Sequence, residues 1–427
     1  MLATTLILLL VLLALSLPVA GALGTLGLLL DQIYSQMPLT LALGEVAWSS
    51  SKDFLLVTIP MFILLGEILL RAGVAERMYD AMVKWLSWIP GGLMHSNIGA
   101  CAIFSATSGS SVATAATVGT VALPLVKKYG YNERLFLGTL AAGGTLGILI
   151  PPSINLIIYA VLTDTSIPKL YLAGIIPGLG LALIFMVTVV IFCLVRRDWG
   201  GQTLTATWPE RFRSLIDLLP PLGIFLVVVG SIYAGLATPT EAASLGVVAA
   251  MVLAAAYRRL SIAMMKEVLE NTMRTTAMVM LIIIAAYFLN FVISAIGLTT
   301  MLTDFIVQLG LSKVEMLIAI VIFYLILGCF METLSMMITT IPIIAPVMFG
   351  LGFDPIWFGI VIIVLIEMAL ITPPVGLNLF VVQSLRSQGT LNDVITGSVP
   401  FVAAMVLLII LVTIFPDIVL WLPRIVG

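Results

Sequence analysis

Apolar stretches dominate this chain and leave one long polar interval, Arg196 to Asp217. They run over 2–22, 54–70, 92–126, 135–163, 170–195, 215–237, 241–257, 275–297, 314–349, 356–385 and 392–421. One membrane crossing takes about 20 apolar residues, so the chain supplies many. The stretches are too long and continuous for a β-barrel, whose strands alternate over about 10 residues. The expectation is an all-α polytopic membrane protein. Composition agrees, with 61% hydrophobic and 9% charged residues, where a soluble domain carries about a quarter charged. The 19 Lys+Arg nearly balance 21 Asp+Glu, so nothing points to nucleic acid or another polyanion. Cys101, Cys193 and Cys329 all lie in apolar stretches and form neither a disulfide framework nor a metal spacing. His95 is the one histidine, which excludes a His-based metal cluster. Residues 1–21 lack a basic n-region and are more continuously apolar than a signal peptide, so they read as the first span.

The two halves repeat each other. Pro124 answers to Pro346, Ile150-Pro-Pro-Ser-Ile-Asn155 to Thr372-Pro-Pro-Val-Gly-Leu-Asn378, and Gly174-Ile-Ile-Pro177 to Gly397-Ser-Val-Pro400, at an offset of 222–223 residues. Gly376 accounts for the one-residue slip. Ordered matches at one offset mark a duplication. Segments 92–126 and 314–349 are too long for one crossing and too short for two, so each is expected to be a re-entrant helical hairpin. Of the 17 residues from Ser105 to Val121, 14 are Gly, Ala, Ser or Thr, which lets backbones approach closely at a hairpin tip. Pro151-Pro152 and Pro373-Pro374 interrupt the helices that follow, because proline removes an N–H and bars the preceding residue from helix. Unpaired backbone at membrane depth survives only when buried in protein or lining a polar cavity.

With the N-terminus inside and each hairpin returning to its own side, all but Lys52, Lys169, Lys313 and Arg424 of the basic residues fall in cytoplasmic loops. The repeats are then inverted, a plan found in secondary transporters. Broken helix ends offer carbonyls to cations and N–H groups to anions. Ser105, Thr107, Ser108, Ser110 and Ser111 add hydroxyls. This equipment suits a sodium ion beside a carboxylate. No Walker A sequence or H-E-x-x-H is present, so neither ATP hydrolysis nor a zinc protease is indicated.

The Ser105-Ala-Thr-Ser-Gly-Ser-Ser run, Gly147-Ile-Leu-Ile-Pro-Pro-Ser153, Gly328-Cys-Phe-Met-Glu332 and Thr372-Pro-Pro-Val-Gly376 resemble the large membrane subunit of tripartite ATP-independent periplasmic (TRAP) transporters, over essentially the whole chain. The resemblance implies an elevator mechanism driven by the sodium gradient. A transport domain (92–169 and 314–391) would slide against a scaffold (1–91, 170–313 and the C-terminal helix of 392–427). It implies two or more sodium ions. One site would fall at Ser105, Ser110, Gly147, Ile150 and Pro152. The second would fall at Gly328, Ala369, Thr372 and Val375, with Ala369 offering a carbonyl where Gly is usual. Substrate contacts are implied at Ser108, Ser153 and Glu332, with Asn155 and Asn378 in support. The substrate would be an organic acid such as a C4-dicarboxylate or sialic acid. Implied partners are a small four-helix membrane subunit and a periplasmic substrate-binding protein. The location would be the bacterial inner membrane, N-terminus cytoplasmic and C-terminus periplasmic. Two other readings compete: a stand-alone sodium/carboxylate symporter, and an intramembrane serine hydrolase pairing a hairpin serine with His95.

Among the other acidic residues, Glu67 is expected to pair with Arg71 one turn on. Glu241 reads as a capping charge, and Glu367 as a structural residue near the second break.

Overall fold

The computed structural model describes residues 1–427 except Ser16, Thr203, Leu309, Leu311, Cys329, Phe330, Val375, Ser387 and Gly427, and gives only the backbone at 13–14, 106–108, 303 and 305–308. Among the described residues seven helices are long and apolar enough to cross a membrane. An eighth appears if Glu133–Leu149 and Ile154–Thr163, bent by 43° at their junction, count as one span. The all-helical, multi-pass reading therefore stands.

Local chemistry sets many helix starts. Asn132, Ser153, Thr238, Ser312 and Asp354 each turn a side-chain oxygen onto an N–H of the following first turn, satisfying donors that have no partner inside the helix. At Thr238 the bond is reciprocal: Glu241 reaches back to the Thr238 N–H at 2.8 Å. Glu67 pairs with Arg71, and Arg71 reaches on to Glu267 at 2.9 Å, tying helix Thr58–Arg71 to helix Ile262–Ala295.

Some boundaries differ from the hydropathy reading. The stretch 2–22 is two helices, Leu2–Ala14 and Val19–Tyr34, with Pro18 at the cap of the second. Proline suits a helix start, where its missing N–H costs nothing. The second helix outruns the apolar stretch because Asp31 is buried usefully, accepting the Leu39 and Thr40 N–H groups at 3.0 and 3.2 Å. The polar interval is also shorter than 196–217. Helix Trp208–Tyr233 starts inside it, on a Thr207–Glu210 capping box. Helix Ile262–Ala295 starts well before 275, capped by Ser261. Amphipathic helix Val74–Leu86 has too few apolar residues to register as a span; it buries Met78, Tyr79 and Met82 along one face.

Both stretches expected to reverse direction do so. Gly143 and Gly144 are neighbours on helix Glu133–Leu149. A Cβ on the first would meet Cys101 at 3.0 Å, and on the second Ala115 at 2.7 Å. Helices Leu93–Ser108 and Ser111–Tyr129 thus lie side by side on one partner, turned at Gly109 (φ +61°). In the second stretch Tyr324 Oη and Thr340 Oγ1 are 2.5 Å apart. A straight helix would hold residues sixteen apart at about 24 Å, so helices Lys313–Leu327 and Thr333–Gly350 also form a hairpin.

The core is built on the first halves of the two broken helices. Every residue of 135–149 and of 357–370 is buried. The duplication is therefore visible in packing as well as in sequence. Helix Leu391–Ile414 lies on Glu133–Leu149 at glycine contacts: a Cβ on Gly397 would fall 1.8 Å from the Arg134 carbonyl, and one on Gly138 would fall 2.0 Å from the Gly397 carbonyl. Small residues permit this approach, as membrane helix packing requires.

Candidate functional site: a cavity ringed by broken helix ends

One cavity of about 420 Å³ gathers the interrupted elements. Its wall includes the first hairpin tip (Gly109 to Ala113), the second hairpin tip (Glu332 to Leu334), the first break (Ile148, Ile154, Asn155) and the second break (Leu370, Leu377). The rest of the wall comes from Ile63, Gly66, Glu67 and Leu70 of helix Thr58–Arg71 and from Thr275 and Met278 of helix Ile262–Ala295. These residues carry no motif and could not be picked out along the chain.

Four helix N-termini border this space. Ser110 caps helix Ser111–Tyr129, its Oγ accepting the Ala113 N–H at 3.4 Å. Ser153 caps Ile154–Thr163, accepting the Leu156 N–H at 3.3 Å. Glu332 caps Thr333–Gly350, accepting the Ser335 N–H at 3.3 Å and the Thr333 hydroxyl at 2.9 Å. Gly376 (φ +56°) opens Leu377–Ser384. Helix N-termini favour anions. Two buried polar groups in the same wall have no protein partner, the Ser111 hydroxyl and the Asn155 amide nitrogen. Among the described residues the lining contains no Lys or Arg.

Of the residues expected at the first cation site, Ser105, Ser110 and Gly147 come together, with Pro152 close to the neighbouring Gly109. A Cβ on Gly147 would lie 3.1 Å from Ser105 Cβ and 3.2 Å from the Ser110 carbonyl oxygen, and one on Gly109 would lie 3.3 Å from the Pro152 carbonyl. The Ser105 hydroxyl donates back to the carbonyls of Cys101 and Ala102. Ile150 ends helix Glu133–Leu149, its side chain packed on Gly178. At the second, Gly328 closes on Ala369, with a built Cβ only 2.1 Å from the alanine methyl. The Thr372 hydroxyl donates to Met368 O at 2.6 Å. The Leu370 and Thr372 carbonyl oxygens converge to within 3.0 Å of one point, where Gly376 would carry a Cβ. Val375 and the Ser108 side chain lie outside the described residues.

Glu367 is a structural residue, as expected, and its partner lies on the other repeat. It is fully buried, and its Oε1 accepts the Ile148 N–H of the first break at 3.0 Å. The Asn378 Nδ2 donates to Ala141 O at 3.1 Å, also on the first repeat. His95 is buried with Nε2 2.8 Å from the Pro90 carbonyl, and Ser105 is committed to its own helix, so no nucleophile–base pair forms between them. Among the described residues no cluster of His, Cys, Asp and Glu could hold a metal ion.

Broken helices whose ends share one cavity are a plan found in membrane carriers. In fold the chain is similar to the crystal structure of the Alcanivorax borkumensis YdaH transporter, with a TM-score of 0.66 at 16% identity, covering 96% of this chain and 98% of that one. Residues 6–418 match the family described as the tripartite ATP-independent periplasmic transporter, DctM component, and the chain belongs to that family. It is 35% identical over 418 residues to the C4-dicarboxylate TRAP transporter large permease protein DctM of Pseudomonas aeruginosa, covering 95% of this chain and 94% of the relative. It is 32% identical over 374 residues to the sialic acid TRAP transporter large permease protein SiaM of Vibrio cholerae, covering 87% of each. These relatives are permease subunits and not enzymes, which removes the hydrolase reading. TRAP large permeases work with periplasmic binding proteins and small membrane subunits.

Proposed function

We propose that the chain is the large permease subunit of a sodium-coupled transporter that imports an organic acid by an elevator movement. The observation that carries this reading is the single cavity in which four helix N-termini meet the carbonyl ends of two broken helices. Sodium ions bind at the carbonyl ends: one among Ser105, Ser110, Gly147, Ile150 and Pro152, the other among Gly328, Ala369, Thr372 and Val375. The Leu370 and Thr372 carbonyls beside Gly376 support the second site, because hard cations take oxygen ligands. The acid's carboxylate binds at the N-termini of Ser111–Tyr129 and Ile154–Thr163, where the Ser111 hydroxyl, the Asn155 amide and the Ser153 and Ser108 positions offer donors. Glu332 accepts from hydroxyl or N–H groups of the substrate, as it does from the Thr333 hydroxyl and the Ser335 N–H.

Cation and carboxylate then occupy neighbouring ends of the same helices, so each raises the affinity for the other. The hairpins are re-entrant and the repeats inverted. The 92–169 and 314–391 elements move as a body past the wall formed by helices Thr58–Arg71 and Ile262–Ala295, carrying the filled cavity across the inner membrane. The N-terminus is cytoplasmic and the C-terminus periplasmic. A small four-helix subunit and a periplasmic binding protein complete the assembly.

Reconstitution into proteoliposomes with those two partners tests this. Labelled C4-dicarboxylate and sialic acid are offered with and without an inward sodium gradient. Uptake that needs both the gradient and the binding protein is expected. Uptake by the chain alone overturns the tripartite reading in favour of a stand-alone symporter, and indifference to sodium overturns the coupling.

A further inference from the structure

Glu367 stands out because nothing in the transport reading uses it. It is a fully buried carboxyl in the middle of the core, and its second oxygen, Oε2, has no hydrogen-bond partner. It accepts an N–H near the C-terminal end of helix Glu133–Leu149, an end whose dipole disfavours a negative group. An apolar side chain of the same size would pack there at less cost. What a carboxyl adds is an acceptor aimed at the Ile148 amide.

The position of that bond carries the inference. Ile148 lies between Gly147 and Ile150, at the first cation site. Glu367 lies two residues before Ala369 and five before Thr372, at the second. Asn378, beyond the second break, makes the companion contact, donating to Ala141 O at 3.1 Å. Ala141 and Ile148 are seven residues apart, two turns along one face of the same helix. The backbone of the second break is thus held between two ties, both anchored on the helix that ends in the first break. The first repeat sends no equivalent tie from these positions. Thr145, which answers to Glu367 at the repeat offset, bonds its own helix at Ala142 O, 2.7 Å away, and Asn155, which answers to Asn378, leaves its amide nitrogen without a protein partner in the cavity wall.

We propose that Glu367, assisted by Asn378, is a positioning residue that joins the two sodium sites into one cooperative unit. This rests on the sodium-site reading above. When sodium draws the 147–152 backbone into its bound shape, the Glu367 contact sets the start of the second break, and the reverse holds by reciprocity. The sites fill together.

Equilibrium binding of radioactive sodium to the purified full chain in lipid nanodiscs tests this. The wild type is expected to bind two ions with a Hill coefficient approaching 2, the ceiling for two sites. Glu367→Met keeps the volume and removes the acceptor. Its Hill coefficient should fall to about 1 and its midpoint rise roughly tenfold, within the usual range for coupling between sites. Glu367→Gln keeps an acceptor oxygen for the Ile148 amide and should restore wild-type cooperativity, which a role in packing or charge alone would not produce. A Hill coefficient of about 1 in the wild type with two ions bound, or an unchanged value in Glu367→Met, overturns the coupling and leaves the sites standing. Absence of sodium binding in the wild type overturns the sites themselves and the coupling with them. If Glu367→Met does not fold, Asn378→Leu decides: it must lower the Hill coefficient, and an unchanged value overturns the proposal.

Discussion

Gly376→Ala tests the second cation site where the geometry is most demanding. Gly376 has φ +56°, in the left-handed region. A non-glycine residue there costs about 1–2 kcal/mol. The new methyl would also sit 3.0 Å from both the Leu370 and Thr372 carbonyl oxygens and 2.8 Å from Leu379 Cδ1. The leucine end can move aside, but the carbonyls are backbone. The strained turn relaxes by rotating those carbonyls away, and sodium binding has to restore them. A strain of about 2 kcal/mol, within the range for such positions, then appears as a roughly 30-fold rise in the sodium midpoint at 1.4 kcal/mol per tenfold. The assay is sodium binding to the purified chain, read beside its melting temperature in sodium-free buffer. Gly73→Ala is the control. Its φ is +74°, and nothing lies within 4 Å of the added Cβ, so it carries the backbone cost away from the site. It should lower the melting temperature and leave the sodium midpoint alone. Equal sodium midpoints for Gly376→Ala and wild type would refute the placing of a cation beside these carbonyls.

Three further outcomes are expected. Ser110→Ala removes both a cap and a hydroxyl at the first site; it should destabilise by about 1 kcal/mol and raise the sodium concentration for half-maximal uptake, and an unchanged sodium dependence counts against Ser110 as a ligand. Gly397→Ala forces a Cβ to within 1.8 Å of the Arg134 carbonyl, so helices Glu133–Leu149 and Leu391–Ile414 must separate, costing about 1–3 kcal/mol as overpacking does; a thermal melt in detergent reads it. Arg386 is 5% exposed and pairs with Glu133 at 2.8 Å and Asp393 at 3.8 Å; its partners are more exposed, so Arg386→Ala should cost about 1–2 kcal/mol, below the full range for a buried pair, and the loss should appear as a lower melting temperature.

Much of the architecture was legible because a membrane leaves few choices. Backbone groups in hydrocarbon must be paired internally, so apolar length alone announced the helices. Two departures from simple spans announced themselves, the hairpins by segments too long for one crossing and too short for two, and the Pro-Pro breaks by recurring at one offset. Hydropathy failed where amphipathic or polar residues are helical for local reasons, as at Val74–Leu86 and the first turns of Ile262–Ala295. It also failed at Val19–Tyr34, which continues through an aspartate only because Asp31 has two backbone donors to bind.

The residues proposed for the two cation sites could be named along the chain only through the family resemblance of the motifs around each break. The part of the cavity wall at Ile63, Gly66, Leu70, Thr275 and Met278 could not be named at all, because its members come from distant ordinary helices and meet only on packing. Glu367 is structural, as expected, but its partner was not legible, because folding carries its carboxyl across to Ile148, 219 residues away. Sequence alone determined which segments enter the membrane and where their helices break, because burial in lipid and the missing proline N–H act on short stretches of chain. Which broken ends face one another, and which side chains hold them there, was decided only when the two repeats packed together.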